Sequence, residues 1–238
     1  MKLILEDIKK SFEKKEVLCG ASFTFETGNI YGLLGRNGAG KTTLFNCINE
    51  DLDIDGGSYR IEEDGMIRKV EADDIGYVLS SPLVPDFLTG REFLKFFIDI
   101  NKDKIKDGRT IDQYFDIVSI ELEDRDRLIK DYSHGMKNKM QMLVNFIANP
   151  HILLLDEPLT SFDVVVADEI KQILRYLKKD HIIIFSTHIM ELALDLCDII
   201  VILNNGVLEQ IDKESLDNNS FKERIINALR GEEDAKNL

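Results

Sequence analysis

The chain has 238 residues, and its 30 basic and 44 acidic side chains give a formal net charge of −14. A hydrophobic content of 44% is enough for a substantial core and excludes an intrinsically disordered chain. The acidic balance argues against a nucleic-acid-binding protein, because such proteins neutralise phosphates with Lys and Arg.

Cysteine spacing and apolar runs argue against two further classes of protein. Cys19, Cys47 and Cys197 form no CxxC pair, which argues against a disulfide framework or a cysteine zinc site and favours a reducing compartment. The amino-terminal apolar run is too short for a signal peptide, and runs such as 152–155 are far below the roughly 18 residues that indicate a membrane span. We therefore expect that the chain does not cross a bilayer alone and that any membrane role needs a partner.

Period-two alternation and short apolar runs predict strands in the first third of the chain. A turn at Asp64-Gly65 joins two of them in a hairpin, and a glycine-rich loop precedes a helix at 41–49. The predicted strands cover 2–8, 16–18, 21–25, 29–34, 57–62, 67–70 and 75–79.

The middle of the chain, from residue 88 to about residue 130, predicts charged helices at 91–101 and 111–119. We interpret the aromatic stripe of Phe93, Phe96 and Phe97 as core packing. A smaller share of these side chains, with residues near 82–87, is available to form a groove for a partner helix. The charged run 121–127 is interpreted as a solvated face.

The remaining chain alternates helices and strands again, which favours an α/β sheet fold. A helix is predicted to run from after Gly135 to Ala148, and further helices at 164–179 and, with polar character, at 213–229. Strands are predicted at 151–155 and 181–186, with a hairpin around Asn205-Gly206 and a disordered tail at 231–238.

A glycine-rich loop follows the predicted strand at 29–34. Segment 35–42 reads GRNGAGKT and matches the phosphate-binding pattern G-x-x-x-x-G-K-[ST]. Its glycines permit a close backbone approach, and N–H groups at the start of the next helix wrap a β-phosphate. Lys41 supplies charge to the β- and γ-phosphates, and Thr42 supplies a hydroxyl ligand to Mg²⁺. The predicted nucleotide contacts here are Asn37, Gly38, Ala39, Gly40, Lys41, Thr42 and Thr43.

Two carboxylates follow the apolar strand 152–155. Asp156 is positioned to bind Mg²⁺ through water, and Glu157 to polarise an attacking water as general base or water-positioning group. His188 ends the next core strand, where it can hydrogen-bond a γ-phosphate and hold that water. Each residue alone has a plainer interpretation, as a polar residue where a strand meets solvent. The upstream phosphate loop favours a P-loop ATPase in which Glu157, His188 and Lys41 are catalytic.

Together these ordered motifs resemble the nucleotide-binding subunit of an ATP-binding cassette (ABC) transporter over nearly the whole chain. Phe12 lies where the family has an aromatic ring that stacks on adenine. Segment 132–136, which reads YSHGM, lies at the position of the family's signature motif. Ser161 and Asp163 resemble a loop that crosses to the opposite subunit, and 75–78 resembles the strand entering the loop that contacts the membrane subunit.

The signature motif departs from the family's usual LSGGQ. Tyr132, His134 and Met136 differ, while Ser133 and Gly135 remain. The form YSxGMK resembles the branch that exports antibiotics, peptides or lipids through separately encoded membrane subunits. His134 is therefore compatible with activity, and a degenerate site is the alternative.

A second departure is Ser80, which stands where the family usually has a glutamine. That glutamine reaches Mg²⁺ and the attacking water, and a serine is too short for the same contact. The departure bears on the coupling of ATP hydrolysis to transport and on the rate of hydrolysis.

The resemblance implies a single ABC ATPase domain over 1–238. Its α/β P-loop ATPase core has a mainly parallel sheet and carries an N-terminal antiparallel β subdomain, together covering 1–87 and 136–205. A helical subdomain covers 88–135, and a hairpin, helix and tail cover 206–238.

The resemblance further implies a head-to-tail pair of identical or different ATPase subunits. Each ATP, with Mg²⁺, would lie between the phosphate loop of one copy and Ser133 and Gly135 of the other. The expected partner is an integral membrane transporter subunit, which would hold this cytoplasmic chain at the inner face of the cell membrane; no nucleic-acid partner is expected. Export is favoured over import. The alternatives are a soluble ABC ATPase without a transport role and a catalytically weakened regulatory subunit of a mixed pair.

Overall fold

A computed structural model describes residues 1–105, 107–159, 162 and 164–211. These residues form two sheets with helices packed around them. The strands are β1 Lys2–Phe12, β2 Lys15–Glu26, β3 Ile30–Leu34, β4 Gly56–Glu63, β5 Met66–Arg68, β6 Ile75–Val78, β7 Ile152–Asp156, β8 Ile182–Thr187, β9 Ile199–Asn204 and β10 Val207–Ile211. The helices are α1 Lys41–Ile48, α2 Gly90–Ile100, α3 Ile111–Ile117, α4 Leu122–Arg125, α5 His134–Ala148, α6 Val164–Leu177 and α7 Met190–Leu196.

Four sequence predictions lie outside the described residues. They concern the polar helix at 213–229, the tail at 231–238, and the loop residues Ser161 and Asp163.

The larger sheet has the strand order β10-β9-β3-β8-β7-β6. All neighbouring strands from β9 to β6 pair in parallel, and only β10 is antiparallel. Every residue of β3, β7 and β8 is buried, as expected for strands covered on both faces. This sheet confirms the predicted α/β fold and brings the carboxyl ends of β3, β7 and β8 to one edge.

The smaller sheet is antiparallel, with the order β2-β1-β4-β5. The prediction of two separate strands at 16–18 and 21–25 is wrong, because β2 continues through both segments. Gly20 lies between them with a φ of 104°, a conformation that glycine adopts without a steric penalty. The pairing register with β1 shifts in this region, so the irregularity is absorbed as a bulge and the strand does not end.

A hydrophobic cluster separate from the two sheets joins α2, α3 and α5. Its buried members are Leu94, Tyr114, Phe115, Val118, Ile120, Ile129, Tyr132, Met140, Leu143 and Ile147. This separate core supports our proposal that 88–135 forms a helical subdomain, and it extends from there onto α5.

The aromatic stripe of α2 is only partly internal. Phe93 and Phe97 pack against the cluster, but Phe96 is 58% exposed. Phe96 is two positions from the fully buried Leu94, which corresponds to about 200° around a helix and turns it to the opposite face. The interpretation as core packing is therefore wrong for Phe96, and its exposure agrees with the alternative that a smaller share of these side chains faces a partner.

The charged run 121–127 is not uniformly solvated, because Arg125 is only 5% exposed. Its guanidinium donates to the Ile120 carbonyl at 2.9 Å and to Asp116 Oδ1 at 2.6 Å, and it lies over the Phe115 ring. A planar guanidinium that meets carboxylates and a ring face can be buried in this way. Arg125 thus fastens α4 to α3.

Helix α7 is short and was not indicated by the sequence pattern. It begins just after β8 without a side-chain hydrogen bond at its amino end. Packing holds it instead: a Cβ at Gly32 on β3 would lie 2.9 Å from Cys197 Sγ and 3.3 Å from Ala193 Cβ. Glycine at this position lets α7 lie directly against the sheet.

None of the helices within the described ranges combines the length and apolar character needed to cross a bilayer.

The sheet edge opposite the phosphate loop is held by a buried carboxylate. Asp74, 5% exposed, accepts two hydrogen bonds from Arg68 at 2.5 and 2.8 Å and one from the Glu71 amide at 2.9 Å. His151 Nδ1 lies 3.0 Å from it, just before β7. Burial alone would raise the pKa of Asp74, but these partners outweigh it and lower the pKa to about 2.

Asp74→Asn should lower the free energy of unfolding at pH 7 by about 2 kcal/mol, since the folded pKa lies below the unfolded value. This stabilisation is present above the unfolded pKa, 3.8, and is lost as the pH falls toward 2. Urea unfolding at pH 7 and pH 3 should therefore show a smaller difference between wild type and variant at the lower pH. Asp73→Asn is the control, because that exposed carboxylate pairs only with Lys104 at the surface. Equal losses in both variants would contradict the assignment.

Candidate nucleotide-binding site

The phosphate loop joins β3 to α1 and depends on glycine. Gly38 and Gly40 have φ values of 77° and 105°, in the region that other residues rarely adopt. A Cβ at Gly40 would lie 2.8 Å from Val17 Cγ1 on the antiparallel sheet. The loop therefore turns tightly into α1 while lying against β2.

Lys41, the first residue of α1, is only 6% exposed. Its Nζ donates to the carbonyls of Gly35 at 2.8 Å and Arg36 at 3.3 Å, and lies 3.8 Å from Glu157 Oε1. Burial lowers its pKa, and the nearby carboxylates of Glu157 and Asp156 oppose that shift. The loop carbonyls thus fix a cation inside the loop, where it can meet phosphate oxygens.

The two predicted magnesium ligands meet although 114 positions separate them. Thr42 Oγ1 donates to Asp156 Oδ2 at 2.7 Å. The other carboxylate oxygen of Asp156 accepts from the Ser186 hydroxyl at 2.5 Å. Asp156 is 2% exposed and is therefore oriented on both sides by hydroxyl groups.

Glu157 has an unusual backbone conformation, with a φ of 51°. This left-handed conformation typically costs a non-glycine residue of order 1–3 kcal/mol. Two hydrogen bonds hold it, from the Glu157 amide to the Ser186 carbonyl at 3.2 Å and to the Ser186 hydroxyl at 3.1 Å. The carboxylate then lies between Lys41 and His188, whose Nδ1 is 2.9 Å from Oε1.

Ser186 is a further residue of the candidate site that the sequence analysis did not assign. It is fully buried and contacts both acidic residues. A signal was present, because a serine at the end of an apolar strand, two residues before His188, is a polar group that needs a buried partner.

A cleft of about 360 Å³ lies over the loop. Its lining contains most of the predicted contacts and adds Lys15 and Val17 from β2, which the sequence did not indicate. The lining residues are Phe12, Lys15, Val17, Asn37, Gly38, Gly40, Lys41, Thr42, Thr43, Ser80, Asp156 and Glu157. Ala39 belongs to the loop but does not line the cleft.

Phe12 and Ser80 stand at the margins of this cleft. Phe12 ends β1, and its ring is 44% exposed, available for stacking. Ser80 follows β6 by two residues and lines the same cleft as Glu157. The short Ser80 side chain therefore shares the cleft with the predicted catalytic carboxylate.

Ser133 and Gly135 do not join this cleft within one chain. Ser133 caps α5, and its Oγ accepts from the Met136 amide at 3.2 Å. His134 begins the helix, two residues earlier than predicted, and Gly135 lies in its first turn. Ser133 and His134 are both exposed and open to a second molecule.

A larger cavity of about 830 Å³ lies between α3, α6 and the end of α5. It has neither a glycine-rich loop nor a paired hydroxyl and carboxylate like those beside Lys41. The smaller cleft is therefore the candidate nucleotide site.

Known proteins support this assignment. Residues 18–160 match the ABC transporter family. The ABC transporter ATP-binding protein YxlF of Bacillus subtilis is 31% identical, over 86% of this chain and 68% of that protein. The bacitracin transport ATP-binding protein BcrA of Enterococcus faecalis is 26% identical, over 98% and 76%.

A solved structure shares the fold. It is a dimeric ATP-binding cassette in a post-hydrolysis state bound to ADP and phosphate, with a TM-score of 0.74 and 19% identity over 88% of this chain and 99% of that one. The family match covers more than half of the chain and contains the phosphate loop and both acidic residues. The chain therefore belongs to the ABC transporter family, and its cassette is an ABC-type ATPase.

Proposed function

We propose that this chain hydrolyses ATP to power transport, in the direction of export, through a separate membrane subunit. The observation that carries the proposal is the meeting of Lys41, Asp156, Glu157 and His188 at one edge of the parallel sheet. We assign nucleotide binding to the cleft over the phosphate loop and hydrolysis to its acidic side.

ATP would be held by three kinds of contact. The Phe12 ring would stack on adenine, the amides of the loop and of the α1 amino terminus would bind the phosphates, and Lys41 would neutralise their charge. The buried lysine supports this assignment, because desolvation strengthens its attraction to an anion.

The Thr42 hydroxyl and the Asp156 carboxylate fit Mg²⁺, which prefers oxygen ligands. Bound there, the ion would neutralise charge on the β- and γ-phosphates. Ser186 would keep the Asp156 carboxylate in position for this contact.

Glu157 would act on the attacking water. As the water oxygen bonds to the γ-phosphorus, its proton passes to the Glu157 carboxylate, the bond to the β–γ bridging oxygen breaks, and ADP leaves with that electron pair. His188 would orient the carboxylate through its 2.9 Å contact. The strained φ of Glu157 is consistent with a side chain held for chemistry.

We assign Ser133 and Gly135 to the ATP of a second subunit, in a head-to-tail pair. The exposed amino terminus of α5 offers amides and a hydroxyl that suit a γ-phosphate. ATP would join the subunits and hydrolysis would loosen them, so nucleotide state shifts the population between two arrangements.

In this proposal the chain is cytoplasmic, and the transporter subunit holds it at the inner face of the membrane. The YSxGMK signature, which resembles that of the exporting branch, favours export, and the similarity to a bacitracin transport protein supports a role in transport. The net charge of −14 argues against a nucleic-acid partner. A weakened regulatory subunit is the second candidate, because Ser80 is short and His134 alters the signature.

Glu157→Gln should keep ATP binding but lower kcat by about a hundredfold or more, since the amide cannot accept the proton. Because ATP then persists, light scattering with Mg²⁺ and ATP should show a stable dimer. Wild-type hydrolysis by the variant would contradict the role of Glu157.

Lys41→Ala is the matched contrast. It should weaken ATP affinity by roughly tenfold or more, since a charge-assisted contact is lost, and should show no ATP-dependent dimer. Equal ATP affinity in the wild type and in this variant would remove Lys41 from the site.

Ser80→Gln should raise kcat by roughly two- to tenfold, because the longer side chain adds one hydrogen bond beside Glu157. KM should change little, since the phosphate loop is untouched. Ser81→Gln, at the next exposed position, is the control. Unchanged ATPase in Ser80→Gln would show that Ser80 does not limit turnover.

Affinity purification of the full chain from native membranes should retain an integral membrane protein, and that protein in vesicles should stimulate the ATPase. Retention of ribosomes or nucleic acid, with stimulation by them, would support a soluble ABC ATPase instead. ATPase that appears only with a second ABC subunit would support the regulatory alternative.

A further inference from the structure

Gln141 on α5 lies against the loop that follows β6. Its Nε2 donates to the Leu79 carbonyl at 2.9 Å, and its Oε1 accepts from the Leu83 amide at 3.0 Å. A carbonyl on one side and an N–H on the other fix the orientation of the carboxamide. One side chain, 5% exposed, therefore closes the loop on both sides of Ser80.

Gln141 is the central member of a polar stripe on α5. Lys137 Nζ contacts Asp86 Oδ1 at 2.6 Å, and Asn145 Nδ2 contacts the Tyr77 carbonyl at 3.5 Å. Positions 137, 141 and 145 are four residues apart and share one helix face. The stripe follows the chain from β6 to the end of the loop, so the loop 79–86 is fastened to α5 along its length.

This loop borders the nucleotide cleft. Ser80 and Glu157 both line the cleft, and Ser133, which caps α5, lies eight residues and about 12 Å before Gln141. A shift of α5 must therefore displace this loop, unless the bonds of the stripe break, and Gln141 supplies two of them next to Ser80. Ser80 is too short to provide an equivalent anchor from the loop side.

We infer that Gln141 is a positioning residue for ATP hydrolysis, which holds the loop that lines the cleft with Glu157 and makes it move as one body with α5, the helix that Ser133 caps. The inference rests on the function proposed above. The side-chain hydrogen bonds of Gln141 go to the loop after β6 and not to the phosphate loop. Gln141 should therefore affect turnover more than ATP affinity.

Gln141→Met tests this inference in the full-length chain. Methionine has a similar length and a good helix propensity, so packing is kept while both hydrogen bonds are lost. We expect kcat to fall about tenfold or more, because small displacements of an active-site segment are costly. KM should change less than about threefold, and so should the Kd for ATP measured in the Glu157→Gln background.

Met140→Leu is the matched control. Met140 is the neighbouring buried residue, but its side chain belongs to the helical cluster, so the exchange conserves volume away from the loop. It should leave kcat near wild type. Equal kcat in the two variants would overturn the inference, and so would parallel losses of kcat and ATP affinity in Gln141→Met.

Hydrogen exchange of the Leu83 amide provides a test that needs no variant. If Gln141 holds the loop, this amide in the wild-type chain should exchange at least about tenfold more slowly than its intrinsic rate. Exchange at the unprotected rate would overturn the inference. A wild-type chain without ATPase would refute the proposed function, whereas an active wild type with an unaffected Gln141→Met refutes only the role of Gln141.

Discussion

The parallel pairing of β3, β8 and β7 is the constraint on which the site depends. Leu34 pairs with Thr187 and Asp156 pairs with Ser186, so the strands end at the same edge although they are distant in sequence. Each polar group beyond that edge is then set by the hydrogen-bond register of a fully buried strand. A register slip would reverse the faces of a strand and scatter the cluster, so core packing and site geometry cannot vary independently.

Ser186 fixes the positions of Asp156 and Glu157 at this sheet edge by hydrogen bonds. Its hydroxyl donates to Asp156 and accepts from the Glu157 amide, and its carbonyl accepts from the same amide. A single buried side chain thus joins the residue that we assign to the metal and the residue that we assign to the water. The groups on β7 are rigid with respect to β8, while the loop after β6 is fastened mainly from the opposite side, by α5. One wall of the cleft is therefore formed by the parallel sheet, and the other by a loop that is fastened to α5.

The α/β fold could be predicted from the sequence. So could the proximity of the loop lysine, the acidic pair and the histidine, because both the fold and this proximity depend on local patterns and strand order. It did not predict the exposure of Phe96 or the burial of Arg125, since both depend on which helix face meets a neighbour. Gln141 was also missed, because its partners are backbone groups of another segment and no spacing along the chain indicates such a contact. For Ser186 the sequence indicated a polar group at the end of a buried strand but not its partners. Two strands were predicted where the structure has the single strand β2, because a glycine inside a strand resembles a turn in the sequence.

The left-handed backbone at Glu157 has a consequence for how this position tolerates change. Glycine would adopt a φ of 51° without strain, so replacing the glutamate with glycine would relax the backbone and remove a carboxylate from a crowded, partly buried place. Backbone strain and chemistry therefore favour different residues at position 157. Relief of the strain alone would favour glycine, whereas the contacts with Lys41 and His188 and the role that we assign to the carboxylate require a glutamate.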